Sequence, residues 1–359
     1  MVEQKTLSPK FAPLIERVPR GRGILSRTLR SLNRSDYIWD PWILPDDDCY
    51  RLFYLRSPKP TPTVPWWSQG KLYGAISKDF QRWESIGVVL EPEPSLDWAS
   101  GRMLAGSTYK ENGVYYLFHS AAGKGEAALS DEKVALATST DGLHWQRYTD
   151  RPLISDFDRS QLYGDYRLHY HWRDPYLVKD PQTGKYCLFI SAFHQESVAE
   201  HRYLACIAIA VADEITGPYK LLPAVTAPTH AHPQGWWFAE MERPQIIYRH
   251  GKYHLFFSCW PWHVNPYWRE KLEGTRITPC SLYWFVSDQL TGPYEPANDI
   301  PIVSGSEKSG IYGTNFFTLN DELIAIGWAY RLHVLQITPT FRVEWSGDRP
   351  EIRRIGGWL

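Results

Sequence analysis

Sulfur, net charge and long apolar runs are all scarce in this chain of 359 residues. Its cysteines, Cys49, Cys187, Cys206, Cys259 and Cys280, are odd in number and lack metal-ligand spacing. That excludes a disulfide framework and the usual zinc motifs. Cys187 and Cys206 sit in apolar runs, where a buried thiol acts as a small hydrophobe. With 39 basic against 40 acidic residues the net charge is -1, which argues against a nucleic-acid footprint or a strongly basic membrane surface. No window approaches the roughly 18 apolar residues of a membrane span. Residues 1–36 carry Arg17, Arg20, Arg22, Arg27, Arg30 and Arg34 but no apolar core of a secretion signal. Glu3, Glu16 and the prolines there weaken a transit-peptide reading. The expectation is an N-terminal arm over residues 1–36, a single catalytic domain over 37–359, and a cytoplasmic protein.

Aromatics, by contrast, are abundant: 15% of the chain, including 17 Trp and 22 Tyr, within a 43% hydrophobic total. A sizeable core is therefore within reach, with most tryptophans read as packing wedges and the rest as platforms for sugar rings. Three segments share one design: Trp39-Asp40-Pro41-Trp42, Trp172-Arg173-Asp174-Pro175 and Glu240-Met241-Glu242-Arg243-Pro244. Each places an acid ahead of an aromatic strand, namely Tyr50 to Tyr54, Tyr186 to Phe189 and Tyr253 to Phe257. Asp174 and Glu242 are 68 residues apart, and Asp40 lies 134 before Asp174, twice 67.

Such periods decide architecture. Five segments read as strand, turn and aromatic strand: Asp40 to Tyr54, Gly106 to His119, Asp174 to Ile190, Glu242 to Phe257 and Gly313 to Trp328. Their starts step by 66, 68, 68 and 71 residues. Asn112-Gly113, His250-Gly251 and Asn320-Asp321 are hairpin signals. Later strands carry paired signatures: Ser77-Lys78-Asp79 with Trp83 and Ser139-Thr140-Asp141 with Trp145, then Thr-Gly-Pro-Tyr at Thr216 and at Thr291. Helical periodicity is nearly absent. The pattern predicts an all-β fold, a five-bladed β-propeller of four-stranded antiparallel blades around a central funnel.

In a propeller the first strand of each blade lines the channel, so the three acids are expected to converge. Alone, an Asp-Pro is more often a turn cap or an arginine partner; three in register favour catalysis. Hydrolysis of a glycosidic bond needs one carboxyl as acid and another as nucleophile or base. Asp40, between Trp39 and Trp42, has the apolar wall that suits a nucleophile. Asp174 follows Arg173, which keeps it ionised and suited to accepting sugar hydroxyls. Glu242 has Glu240 on the same strand face, and a like charge raises a carboxyl's pKa as a general acid requires. Arg243 points the other way and reads as structural.

At these residues the chain resembles the β-propeller glycoside hydrolases of families 32 and 68, invertases and levansucrases, with family 43 as a cousin. Trp39-Asp40-Pro41-Trp42 looks like the family 68 nucleophile segment Trp-Asp-Ser-Trp, Arg173-Asp174-Pro175 matches its Arg-Asp-Pro, and Glu240-Met241-Glu242-Arg243 its Glu-x-Glu-Arg. The resemblance implies a retaining enzyme acting on β-fructofuranosides such as sucrose. Asp40 would be nucleophile, Glu242 acid and base, Asp174 the stabiliser, and Glu240 a substrate ligand. It also implies Trp39 and Trp42 beside the sugar. The family's Trp-Ser-Gly-Ser aligns with Leu104-Ala105-Gly106-Ser107, which nominates Ser107, with Trp98 supplying the aromatic contact that this stretch lacks. Trp260-Pro261-Trp262 stands where polar acceptor-site residues are expected, and Asp40-Pro41 is also how family 43 marks its general base.

Arg173 reads equally as a substrate ligand or a structural ion pair, and Tyr312 as a rim contact. No cofactor or metal is expected: His169, His171, His230 and His232 include His-x-His pairs without a completing acid set, and Asp46-Asp47-Asp48 reads as a solvated turn. The expected partner is a small carbohydrate, neither nucleic acid nor membrane, with the oligomeric state open. Three rival readings stand: an inverting arabinofuranosidase or xylosidase of family 43 type, a non-catalytic sugar-binding propeller, and a phosphorylase-like propeller.

Overall fold

A computed structural model of the protein describes residues 36–355, apart from 126–130, 165–171, 196–202, 227–236, 272–277, 279–280, 298–300 and 332–333. Within them the chain forms five antiparallel sheets in sequence, each one blade. Blade one is β1 (Asp36–Pro45), β2 (Tyr50–Pro58), β3 (Lys71–Ser77) and β4 (Glu84–Leu90). Blade two is β5 (Arg102–Glu111), β6 (Val114–Ala122), β7 (Lys133–Ser139) and β8 (Gln146–Arg147). Blade three adds the short β9 (Tyr163–Gly164) to β10 (Arg173–Lys179), β11 (Tyr186–His194), β12 (Ala205–Ala212) and β13 (Lys220–Leu222). Blade four is β14 (Glu242–Arg249), β15 (Lys252–Ser258), β16 (Leu282–Ser287) and β17 (Glu295–Pro296). Blade five runs β18 (Tyr312–Leu319), β19 (Glu322–Arg331), β21 (Phe341–Ser346) and β22 (Arg349–Arg354), with β20 (Val334–Ile337) paired beside β19. The five-bladed propeller is as the repeat predicts. Of the arm expected over residues 1–36 only Asp36 is described, and it already belongs to β1. No helix among the described residues is long and apolar enough to cross a membrane.

The predicted hairpins form for the expected reason. Asn112-Gly113, His250-Gly251 and Asn320-Asp321 all have both residues at positive φ, the backbone of a tight turn whose twist matches its strands. The paired signatures also have local work. Asp79 Oδ1 accepts from the backbone N–H groups of Gln81 and Arg82, and Asp141 Oδ1 from those of Leu143 and His144. In the Thr-Gly-Pro-Tyr turns Tyr219 and Tyr294 donate back to the carbonyls of Ile215 and Leu290. The Asp46 turn departs from expectation: its carboxylate is buried among Arg51, Lys110 and Tyr115, bonds that outweigh burial and hold its pKa well below the ordinary value.

The core is divided into five apolar layers between neighbouring blades. Blade one is made wholly of N-terminal strands and blade five wholly of C-terminal ones, so side chains close the ring. Ile38 and Ile43 pack there against Phe317, Ile324 and Ile326.

Each inner strand carries a bulge at the same place. Register shifts fall between Trp39 and Trp42, Met103 and Gly106, Arg173 and Tyr176, Glu242 and Gln245, and Tyr312 and Asn315. Two residues there oppose one on the partner strand. The bulges correct the phase expected from spacing alone. Asp40, Leu104, Asp174, Arg243 and Gly313 are structural equivalents, while Glu242 is equivalent to Trp39, Met103, Arg173 and Tyr312. Glu242 thus stands one residue ahead of the two aspartates.

Just beyond the bulges, side chains bridge the blades. Ser107 Oγ accepts from the Leu177 N–H at 3.2 Å, Gln245 Oε1 from Phe316 N–H at 2.9 Å, and Asn315 Oδ1 from Ile43 N–H at 2.9 Å. Each satisfies an inner-strand donor that has no strand on that side. Asn315→Ala leaves the Ile43 donor buried and unmet at the ring closure. A loss of about 1–3 kcal/mol is expected in denaturant unfolding; an unchanged unfolding midpoint would contradict this account of closure.

Candidate active site

The bulges create the site by turning backbone inward. Asp40, Asp174, Arg243 and Gly313 sit at φ 45°, 57°, 58° and 56°, in the left-handed region. For a residue other than glycine this costs about 1–3 kcal/mol unless its surroundings impose it. Pro41, Pro175 and Pro244 follow the first three, so the bulges do not leave an extra N–H without a partner there. The two rings of bulge residues, Gly313 excepted, line a funnel of about 330 Å³, to which Glu132, Arg102 and Glu240 add charge and Trp66, Trp67, Trp260 and Trp328 add apolar wall.

Asp40 Oδ1 accepts a 2.7 Å hydrogen bond from Trp328 Nε1. Asp174 is buried, and its Oδ2 accepts from the Arg243 backbone N–H at 2.9 Å. The Arg243 guanidinium crosses the funnel floor to the carbonyls of Gly106, at 3.0 Å, and Pro41, at 3.4 Å. It ties blade four to blades two and one, the structural role expected of it, but it lines the funnel instead of pointing to the opposite face.

Above this floor runs a chain of alternating charge. Arg102 reaches Glu132 at 2.7 Å, Glu132 reaches Arg173 at 3.3 Å, and Arg173 reaches Glu242 at 2.6 Å and Glu240 at 3.5 Å. His263 Nδ1 lies 2.9 Å from Glu240. The other Glu242 oxygen accepts from the Tyr312 hydroxyl.

Compared with known proteins, the family model of glycosyl hydrolases family 43 matches residues 36–319. The chain belongs to that family. Among curated relatives, a levansucrase of Rahnella aquatilis is 26% identical over 272 residues, covering 65% of this chain and 58% of the relative. A levansucrase of Erwinia amylovora is 30% identical over 43% of this chain and 36% of the relative. The chain thus spans well under two thirds of these curated relatives. Among solved structures, an inulosucrase from Halalkalicoccus jeotgali bound to kestose superposes with a TM-score of 0.68 at 23% identity, covering 89% of this chain and 87% of that one. A thermostable family-43 glycoside hydrolase gives 0.62 at 16% identity, with 91% and 96% covered. These two likenesses show the fold. The resemblance to propeller glycosidases holds, with the cousin family the one whose model matches. The family that the chain matches is one of glycosyl hydrolases.

In this family-43 chain the funnel holds two carboxyls of unlike character. Burial raises the pKa of Asp40 to about 6; Asp174 adds to the rise, while Arg243 and the Trp328 N–H oppose it. Burial raises Glu242 further, to about 8, with Glu240 and Asp174 reinforcing it against Arg173 and the Tyr312 hydroxyl. Between these values Asp40 is ionised and Glu242 protonated, the division of labour that acid–base chemistry needs.

Of the residues nominated from sequence, Trp39, Asp40, Arg173, Asp174, Glu240, Glu242 and Tyr312 meet in the funnel. Trp42, Trp98 and Ser107 do not line it. Trp42 is on the same sheet face as Trp39 but one register step deeper, stacked on Phe53 at 5.5 Å with its Nε1 donating to Thr108. Ser107 is the blade-three cap described above. Trp98 packs beside the core of blades one and two and donates to the Asp150 carbonyl. His169, His171, His230 and His232 lie outside the described residues. Arg102, Glu132 and Trp66 were not anticipated; the doublet Trp66-Trp67 offered the one visible signal, since Arg102 and Glu132 fall in no motif.

Gly313 leaves room for the Asp40 carboxyl. A Cβ there would lie 2.5 Å from Asp40 Oδ1 and 2.7 Å from Trp328 Nε1. Gly313→Ala is expected to lower kcat about a hundredfold by displacing Asp40. Steady-state assay on whichever glycoside the wild type cleaves is the check, and undiminished kcat would remove Gly313 from the account.

Proposed function

We propose that the protein is a retaining glycosidase or transglycosylase acting on β-fructofuranosides such as sucrose, with residues 37–359 as its catalytic unit. The observation that carries the reading is the convergence of Asp40 and Glu242 in one funnel, with burial raising Glu242 further than Asp40. The fructosyl choice draws support from the levansucrases among the relatives and from the inulosucrase bound to kestose.

Asp40 Oδ attacks C2 of the fructosyl unit while Glu242 delivers its proton to the departing glycosidic oxygen. The C2–O bond breaks, and a covalent fructosyl–Asp40 ester forms. Asp174, held by the Arg243 N–H, accepts from ring hydroxyls. Glu242, now ionised beside Arg173, takes a proton from water or from an acceptor hydroxyl. That oxygen attacks C2 and frees Asp40. Arg173 serves as the anchor that holds Glu242 in place, and Glu240 as its companion toward the leaving sugar.

Family-43 membership favours one second reading, in which Asp40 activates a water directly and the anomeric configuration inverts. Proton NMR of the first product from sucrose and from aryl arabinofuranosides separates the two. Retention on a fructoside, together with a loss of about a thousandfold or more in Asp40→Ala, is the expected result. No turnover of any furanoside by the wild type, or an active Asp40→Ala, would overturn the proposal.

The pH profile follows with its sign. As pH rises through about 6, Asp40 loses its proton and the rate increases; as it rises through about 8, Glu242 loses its proton and the rate falls. A bell-shaped kcat/KM centred near neutrality is expected. A rate still climbing at pH 9 would exclude Glu242 as the acid.

A further inference from the structure

Glu132 stands immediately ahead of β7 and lines the funnel, yet it is only 2% exposed. Two guanidiniums hold it: Arg102 Nη2 lies 2.7 Å from its Oε1, and Arg173 Nη1 lies 3.3 Å from its Oε2. Its chain neighbour Lys133 is turned instead to Asp131 and Asp156, at 2.8 and 2.6 Å. A carboxylate buried between two arginines neutralises them, and that alone would justify its presence. The way Arg173 is divided gives Glu132 a second role.

Arg173 sends its two terminal nitrogens to different acids. Nη1 is on Glu132, while Nη2 reaches Glu242 at 2.6 Å and Glu240 at 3.5 Å. An arginine binds a carboxylate most strongly when both nitrogens close on it as a fork. Glu242 receives one arm, and its other oxygen accepts from the Tyr312 hydroxyl. Burial pushes Glu242 up, and Arg173 is the strongest of the forces that oppose the rise. Facing Glu242 are Arg173 and Asp174 from β10, Glu240 ahead of β14, Tyr312 from β18 and the Cys259 thiol after β15. Asp40 of β1, Arg102 of β5 and Arg243 line the same funnel, and His263 stands beside Glu240. Among the described residues Arg173 is the cation in direct contact with Glu242.

We propose that Glu132 is a positioning residue for the acid: by holding Nη1 of Arg173 it keeps that guanidinium from closing as a fork on Glu242, and so preserves Glu242 as a proton donor. Removing Glu132 takes away a negative charge and frees the second arm of Arg173. Each change favours the ionised form of Glu242 and lowers its pKa. Arg102 completes the device, since its 2.7 Å bond fixes Glu132 from the inner strand of blade two. This inference rests on the reading of Glu242 as acid; the identity of the sugar is independent of it.

The test is a carbon-13 NMR titration of the glutamate carboxyls in the full chain, with the Glu242 signal assigned by its absence in Glu242→Gln. In Glu132→Gln, which keeps the shape and removes the charge, the Glu242 midpoint is expected to fall by about one pH unit. The falling limb of kcat/KM, on the glycoside that the wild type cleaves, is expected to move to lower pH by the same amount, because the acid is lost earlier. A Glu132 that only neutralises its arginines would change stability and leave both midpoint and limb in place. If Glu132→Gln does not fold, Arg102→Gln combined with Glu132→Gln removes one charge of each sign and carries the same expectation. A Glu242 midpoint that is unmoved or raised in the folded variant overturns the proposal. A midpoint that falls while the limb stays put counts instead against Glu242 as the acid, and the part of Glu132 in the reaction falls with it.

Discussion

The bulge at the mouth of every inner strand is the constraint on which the rest depends. A regular strand alternates its side chains between two faces, both of which in a propeller meet neighbouring blades. Setting two residues against one breaks that alternation and turns backbone into the channel. Asp40 and Asp174 hold the left-handed backbone this requires. Arg243 holds it too, and its inward N–H caps Asp174. Where the fifth blade reaches the same point, only the absence of a Cβ at Gly313 leaves space for the Asp40 carboxylate. Acid, brace and clearance come from one backbone device used around the ring.

The electrostatics follow from stacking two such rings of residues. The deeper ring holds Asp40 and Asp174 with Arg243, and the outer holds Glu242 with Arg173. Arg173 is shared among Glu132, Glu240 and Glu242, so its charge is spread over three carboxyls rather than spent on one. Burial, reinforced by Glu240 and Asp174, holds the Glu242 pKa up despite a guanidinium at 2.6 Å. Asp40 bonds a neutral indole N–H instead and remains the more acidic of the two. A buried carboxylate bound by an undivided arginine would stay ionised and could not act as an acid at neutral pH.

Much of this was legible in the chain. The spacing of Asp40, Asp174 and Glu242, with their prolines and aromatic second strands, disclosed five blades, and the hairpin dipeptides placed the turns. The phase within the inner strand was not legible. A bulge inserts a residue that periodicity cannot see, which is why Glu242 was set level with the aspartates although it is the partner of Arg173. The same effect misplaced Trp42: three residues from Trp39, it shares its sheet face only because the bulge absorbs one of them. Ser107 was nominated by its alignment with the family's Trp-Ser-Gly-Ser; only the position of the Leu177 N–H shows that it caps a blade. Glu132 and Arg102 left no pattern, since their partners come from other blades.

The most direct test of the central claim, that the blade-one bulge presents Asp40 as a nucleophile to a sugar carbon, is acid-quench mass spectrometry. Protein mixed with excess sucrose, stopped within milliseconds and digested, is expected to carry a hexosyl adduct on the peptide containing Asp40, absent in Asp40→Asn. Turnover with an unmodified Asp40 peptide, or an adduct on a different carboxyl, would contradict it.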